Sequence, residues 1–185
     1  MKCVFSLVFV SLVSIAGCIP TENAIHTDET SVFEPALIGA WNGGESKANW
    51  EFTKNGEQAY RLVYTMGNQK RVFSAHLARI DGSLFLDLHR ESPKRPTNTS
   101  TKPRLHHTFV LVRSISPTLR LSYMDANWLK KHVEENPTAV RHEEMGPRII
   151  MTDSTERLQA FLAKHSKTSE AWKNLADLER RNPPR

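Results

Sequence analysis

The chain has 185 residues, a formal charge of +5 and two cysteines, Cys3 and Cys18. That length suits one domain with a proper core; Cys3 lies in an N-terminal segment expected to be removed, which leaves Cys18 no thiol to pair, so stability has to come from buried apolar area, for which four Trp and eight Phe supply material. The modest basic charge fits ordinary solubility, or contact with an anionic surface such as lipid headgroups or acidic polymers more than with nucleic acid.

Behind Lys2 runs the apolar stretch Val4 to Ile15, too short to span a bilayer as a mature helix and of the right length for the apolar part of a secretory signal. It ends in Ile15-Ala16-Gly17-Cys18, which resembles a lipobox. The whole segment is similar to bacterial lipoprotein signal peptides. That resemblance implies removal of residues 1–17, a diacylglyceryl group on the Cys18 thiol and acylation of the new amino group. Two or three acyl chains hold a protein to a membrane stably. It also implies a cell-envelope location, and with Ile19 after the cysteine in place of Asp, the outer membrane of a two-membrane bacterium. An ordinary cleaved secretory signal and an uncleaved anchor are the alternatives.

Residues 18–35 read as the lipidated N-terminus followed by a flexible tether. Thr21 to Glu34 mixes acidic residues with Thr, Ser and Asn and has no apolar periodicity, and its random-coil reach would be about 20 Å. Residues 36–182 are expected to form the domain. It opens at Leu37-Ile38-Gly39-Ala40-Trp41, which resembles the L-x-G-x-W of the first strand of lipocalins and related small barrels. There the Trp packs across the closed end.

Ala48 to Thr53 and Tyr60 to Thr65 alternate apolar and polar, the pattern of half-buried strands. The turn at Asn55-Gly56 is expected to be a three-residue loop opposing Trp50 to Tyr60 and Ala48 to Leu62, because a two-residue turn would put the aromatics on opposite faces. Arg71 to Arg79 and Ser83 to His89 form the next hairpin. Its two-residue Asp81-Gly82 turn opposes Leu77 to Leu86 and Ala75 to Leu88. One face is then Phe73, Ala75, Leu77, Leu84, Leu86 and Leu88; the other carries His76 across from Asp87, with His89 two residues along.

Arg90 to Arg104, rich in Pro, Thr, Lys and Arg, is expected to be an exposed loop. Strands follow at Thr108 to Val112 and Leu119 to Tyr123. Asp125 caps a helix with Trp128, Leu129, His132 and Val133 on one face. After a short strand at Arg148 to Thr152, Asp153 and Glu156 have capping-box spacing for a helix burying Leu158, Phe161 and Leu162. Glu170 to Arg181 reads as a last helix with Ala171, Trp172, Leu175 and Leu178 on one side. The fold class expected is α+β: an antiparallel lipocalin-like barrel or strongly curled sheet of about seven or eight strands, with about three helices in the C-terminal part. The pattern as a whole resembles small predicted bacterial lipoproteins with no assigned function.

No G-x-S-x-G elbow, phosphate-binding Gly loop, C-x-x-C or H-E-x-x-H is present. The reading is of a non-catalytic binding or interaction module needing no cofactor, anchored to the membrane by its lipid and meeting an anionic envelope surface or a protein partner. Two further readings stay open. In one, Trp41, Trp50, Tyr60, Leu62 and Tyr64 line a barrel that carries a small apolar ligand, although side chains can equally fill a barrel of this size. In the other, His76, Asp87 and His89 hold a divalent metal for catalysis, whereas the plainer account is a cross-strand His–Asp hydrogen bond. His106 and His107 point to opposite faces of their strand, so at most one could join that set.

Overall fold

Twelve strands and two α-helices make up the computed structural model, which describes residues 18–43, 48–91, 106–146 and 148–181. The expected signal peptide and most of the basic stretch Arg90 to Arg104 lie outside the described residues. In chain order the strands are β1 (Pro20–Thr21), β2 (Ser31–Val32), β3 (Gly39–Gly43), β4 (Ala48–Lys54), β5 (Ala59–Met66), β6 (Gln69–Ile80), β7 (Ser83–Arg90), β8 (His107–Ser114), β9 (Thr118–Met124), β10 (His142–Met145), β11 (Arg148–Met151) and β12 (Trp172–Arg180). Helix α1 (Ala126–Glu135) follows β9, and α2 (Thr155–His165) follows β11.

Local chemistry explains most of the hairpins. Asp81 (φ 46°) and Gly82 (φ 76°) form the tight turn of β6–β7, whose left-handed pair matches strand twist. The register is the expected one, Leu77 opposite Leu86, Ala75 opposite Leu88 and His76 opposite Asp87. The β4–β5 connection is longer than expected: the Asn55 N–H donates to the Ala59 carbonyl, and the loop includes Glu57 and Gln58 as well as Gly56. Trp50 therefore opposes Tyr64 and Phe52 opposes Leu62. This four-residue slip keeps the parity, so the aromatics still share one face.

Strands β3 to β9 and β12 close into an antiparallel barrel of eight strands, which fits a lipocalin-like barrel. Its interior is a continuous cluster of Trp41, Trp50, Phe52, Tyr60, Leu62, Phe73, Leu77, Leu86, Leu121, Leu178 and their neighbours. One end is shut by a 3-10 turn at Pro35–Leu37. The Trp41 indole donates to the Leu37 carbonyl at 2.9 Å, and the Arg180 guanidinium lies 4.5 Å over the Trp41 ring while donating to the Ile38 and Ala36 carbonyls. Gly39 is required beneath that arginine: its φ is +129°, and a Cβ there would meet Arg180 Nη1 at 2.8 Å.

A second core lies outside the barrel. Phe85, Phe109, Leu111 and Met124 face outward and meet Leu129 and Val133 of α1, Leu158, Phe161 and Leu162 of α2, and Ile149 and Met151 of β11. Each large apolar side chain buried this way contributes about 1.5–3 kcal/mol of transfer free energy.

Three further expectations are corrected. The first is the last helix: residues 172–180 are strand β12, preceded by a 3-10 turn at Ser169–Ala171, so the described residues form two α-helices where about three were expected. β12 is hydrogen-bonded on both sides, to β9 and β3, and a bulge between Asn174 and Ala176 changes which face the chain presents. Trp172 consequently joins the outer core and Leu178 the inner one. The second concerns the tether. Residues 20–37 are built into the body: β1 pairs with β8 and β11, β2 pairs with β6, and Ile25, Thr21 and Leu37 are fully buried. Third, the cap of α2 is Ser154, whose hydroxyl accepts from the Arg157 N–H. Asp153 instead accepts from the Arg141 N–H at 2.7 Å and pairs with the Arg157 guanidinium.

Candidate functional site: a buried aspartate among four histidines

The outward face of β6–β8 is apolar at Phe85 and Phe109 and turns polar beside them, at Asp87. Strand alternation puts His76, Asp87, His89 and His107 on this face, because His76 is the cross-strand partner of Asp87 and His89 that of His107. The docked N-terminal segment covers them. It is held from below by β2 and by the Arg79 N–H on the Thr30 carbonyl, and from above by α2, whose Thr155 hydroxyl and Gln159 amide donate to the carbonyls of Ala24 and Ile25.

Asp87 is only 1% exposed, and both its oxygens are occupied. Oδ2 accepts from the Ile25 N–H at 2.8 Å and lies 2.7 Å from His26 Nδ1; Oδ1 lies 2.8 Å from His107 Nδ1. Burial alone would raise this carboxyl, but the hydrogen bonds from His107 and His26, and the charge they carry when protonated, outweigh it and bring it down from 3.8 to about 2. An ionised carboxylate only accepts, so both Nδ1 atoms carry the hydrogen and both Nε2 atoms are left as lone-pair bearers when the rings are neutral. His76 stacks on His26 with ring centres 3.8 Å apart, and His89 on His107 at 4.6 Å. The imidazole of His76 is shifted below its ordinary value by burial first and by His26 next; that of His89 by burial and then by His107.

The expected set His76, Asp87 and His89 therefore shares one face, but Asp87 spends its oxygens on His26 and His107. Among the described residues no group of three or more His, Cys, Asp or Glu is arranged to hold a metal ion. Of the two adjacent histidines, it is His107 that reaches the carboxylate. His26 is the member that sequence reasoning missed, because the segment carrying it has no periodicity; the only sign was an imidazole in a stretch otherwise acidic and hydroxylic. Chemically the arrangement is the orienting half of an Asp–His relay, present twice. Among the described residues no hydroxyl or thiol donates to either Nε2.

This geometry fixes a pH dependence. Groups held below their ordinary values bind fewer protons folded than unfolded, so stability rises with pH across their range. Unfolding temperature is expected to fall as pH drops below about 6.5, through His76, His89 and His165, and again between about 4 and 2 as Asp87 is protonated. Thermal melts from pH 8 to pH 3 check this; replacing His76 and His89 by asparagine should make the upper part of the curve shallower, leaving the share of His165, and should leave the part below about pH 4.

Trp41, Trp50, Tyr60, Leu62 and Tyr64 all face the barrel interior and belong to one packed cluster. Trp50 meets Tyr64 edge-on at 5.2 Å, and Phe33 stacks on Tyr60 at 5.0 Å. The Tyr60 hydroxyl accepts from the Glu34 N–H at 2.5 Å and the Tyr64 hydroxyl donates to the Met66 sulfur, so both polar tips are partnered. Cys18 is 7% exposed and sits against the same cluster; burial pushes its thiol up to about 12. Comparison with protein-family models, with curated proteins and with solved structures finds no match.

Proposed function

We propose that the protein is a lipid-anchored envelope module that binds or docks without catalysing a reaction, its barrel held directly against the membrane surface by acyl chains on Cys18. The observation that carries this reading is the course of the chain after Cys18: with Pro20 and Thr21 in the sheet and residues 23–31 clamped between α2 and β6–β8, no slack separates a lipid on Cys18 from the barrel. An anchor at that point sets the distance and tilt of the domain, a property of use to a docking surface.

The filled interior and the committed oxygens of Asp87 support a scaffold over an enzyme. Cys18 and Ile19 precede the first ladder pair, so a lipid-bearing Cys18 can leave the barrel cluster without breaking β1. Cys18 is buried in the folded domain, out of reach of a lipid donor, which favours acylation before the domain folds. Expression of the full chain in a bacterium, followed by fractionation and intact-mass measurement, tests the reading. Wild type is expected in the membrane fraction with acyl mass on a chain that starts at Cys18, and Cys18→Ala in the soluble fraction. An unacylated wild-type chain that begins elsewhere would overturn the anchor.

A further inference from the structure

We propose that His132 and His165 form a binding site for a monovalent copper ion, roofed by Trp128 and Phe161, on the outer layer of the barrel. This site is separate from the Asp87 cluster and independent of the lipid anchor.

The two imidazoles come from the last turns of α1 and α2, with ring centres 4.6 Å apart and planes at 72°. Both Nε2 atoms are buried and neither has a hydrogen-bond partner. His165 as a residue is 7% exposed. Buried polar atoms are nearly always paired, so two orphaned nitrogens in adjacent rings mark a place where a ligand would satisfy both. If each Nε2 bound one ion at about 2.0–2.1 Å, ring centres 4.6 Å apart would subtend an angle of roughly 90° at it, a separation two ligands of one ion can have.

The donor set selects the ion. A structural zinc site takes four ligands, and among the described residues no third His, Cys, Asp or Glu joins these two. Two neutral nitrogens with no carboxylate suit a singly charged ion better than a divalent one, and the bent arrangement of the two rings leaves a side of the ion for a further ligand. Arg157 and Lys164 nearby weigh further against double positive charge. The remaining surroundings still favour a cation. Both imidazoles sit at helix C-termini, where the dipole is negative. Trp128 stacks on His132 with ring centres 4.8 Å apart and lies 5.1 Å from His165, while Phe161 lies 4.7 Å from His165, so aromatic faces are in reach of a soft cation. Burial, then His132 and Lys164, lower His165 from 6.5 to about 4, so its ring is neutral at physiological pH, as a ligand must be. A depression of about 210 Å³ lined by Ala139, Arg157, Ala160, Phe161, Lys164 and His165 gives a route in from solvent and room for an exogenous third ligand.

The test is an anaerobic Cu(I) titration of the full-length protein carrying Cys3→Ser and Cys18→Ser, which removes both thiols, against a chromogenic Cu(I) chelator. The expected result is one equivalent retained, tryptophan fluorescence quenched, and affinity lowered at least about 100-fold in His132→Gln and in His165→Gln, beyond the 10–100-fold typical of losing only an outer partner. Trp128→Phe should keep the ion and lose most of the quenching. As a readout that does not depend on the variants folding, the ring resonances of His132 and His165 in the unaltered imidazole pair should move on Cu(I) addition while those of His26 and His107 stay. No retained equivalent, unchanged His132 and His165 resonances, or tighter binding of Zn(II) than of Cu(I) at these rings would overturn the proposal.

Discussion

Replacing Asp87 by alanine is expected to destabilise the protein by about 3–5 kcal/mol, one of the two largest effects a single change should produce here. The substitution leaves the Ile25 N–H and the Nδ1 hydrogens of His26 and His107 without their acceptor in a site almost closed to water. At roughly 2–4 °C per kcal/mol for a domain of this size, the melting temperature should drop by about 10 °C. The loss should be local before it is global. Residues 22–31 are held by this carboxylate together with Thr155 and Gln159, so faster hydrogen exchange at Ile25 and early proteolysis within that segment should accompany the lower melting point. Asp87→Asn keeps the shape and one acceptor and should cost less. A variant Asp87→Ala with wild-type melting and exchange would show that the clamp lies elsewhere.

Ending the chain after Ala171 is expected to abolish the fold. Strand β12 is the stave that joins β9 to β3, with Leu178 buried opposite Leu119 and Gly43 and Arg180 crossing Trp41 at the closed end. Without it two long edges are exposed and the inner core opens to water, so the truncated chain should be aggregated or lack a cooperative melt. A capping helix at this position could be removed with a far smaller effect, which makes the truncation a direct discrimination between the helical reading of residues 170–181 and the strand. Leu178→Ala, which keeps the ladder, should cost about 2–5 kcal/mol and still melt cooperatively.

The misreading of β12 has a physical origin. Trp172, Leu175 and Leu178 recur every third residue, as one face of a helix does, and the stretch holds good helix formers such as Lys, Leu, Ala and Glu. The same spacing arises in a strand when a bulge inserts one residue and swaps the faces, sending Trp172 to the outer core and Leu178 to the inner. Periodicity cannot tell the two apart. Here two open strand edges decide, and their unmet hydrogen bonds outweigh a local preference of a few tenths of a kcal/mol per residue. A weaker hint was available in Phe85, Phe109 and Leu111, whose outward apolar side chains interrupt the alternation of β7 and β8 and signal that this wall is covered on both faces.

The candidate site divides in the same way. His76, Asp87 and His89 could be placed on one face because the Asp81-Gly82 turn fixes the register of β6–β7 from residues next to one another. His26 reaches Asp87 across 61 positions of chain, in a segment whose polar composition gives no sign of docking. Likewise His132 was legible as part of an apolar helical face, but its meeting with His165 depends on how α1 and α2 pack on the barrel.

By itself the sequence determined what neighbours along the chain can settle: the tight β6–β7 hairpin, the Gly39–Trp41 entry to the barrel, the buried faces of α1 and α2, and the inward face of each early strand. Only the tertiary structure decided the closure by β12, the docking of residues 20–32, and the pairings of Asp87 and of His132 with His165. Turns and face alternation follow from backbone geometry within a few residues. The others depend on which distant donors, acceptors and apolar surfaces are still uncovered once the first strands have paired, a quantity that no local stretch contains.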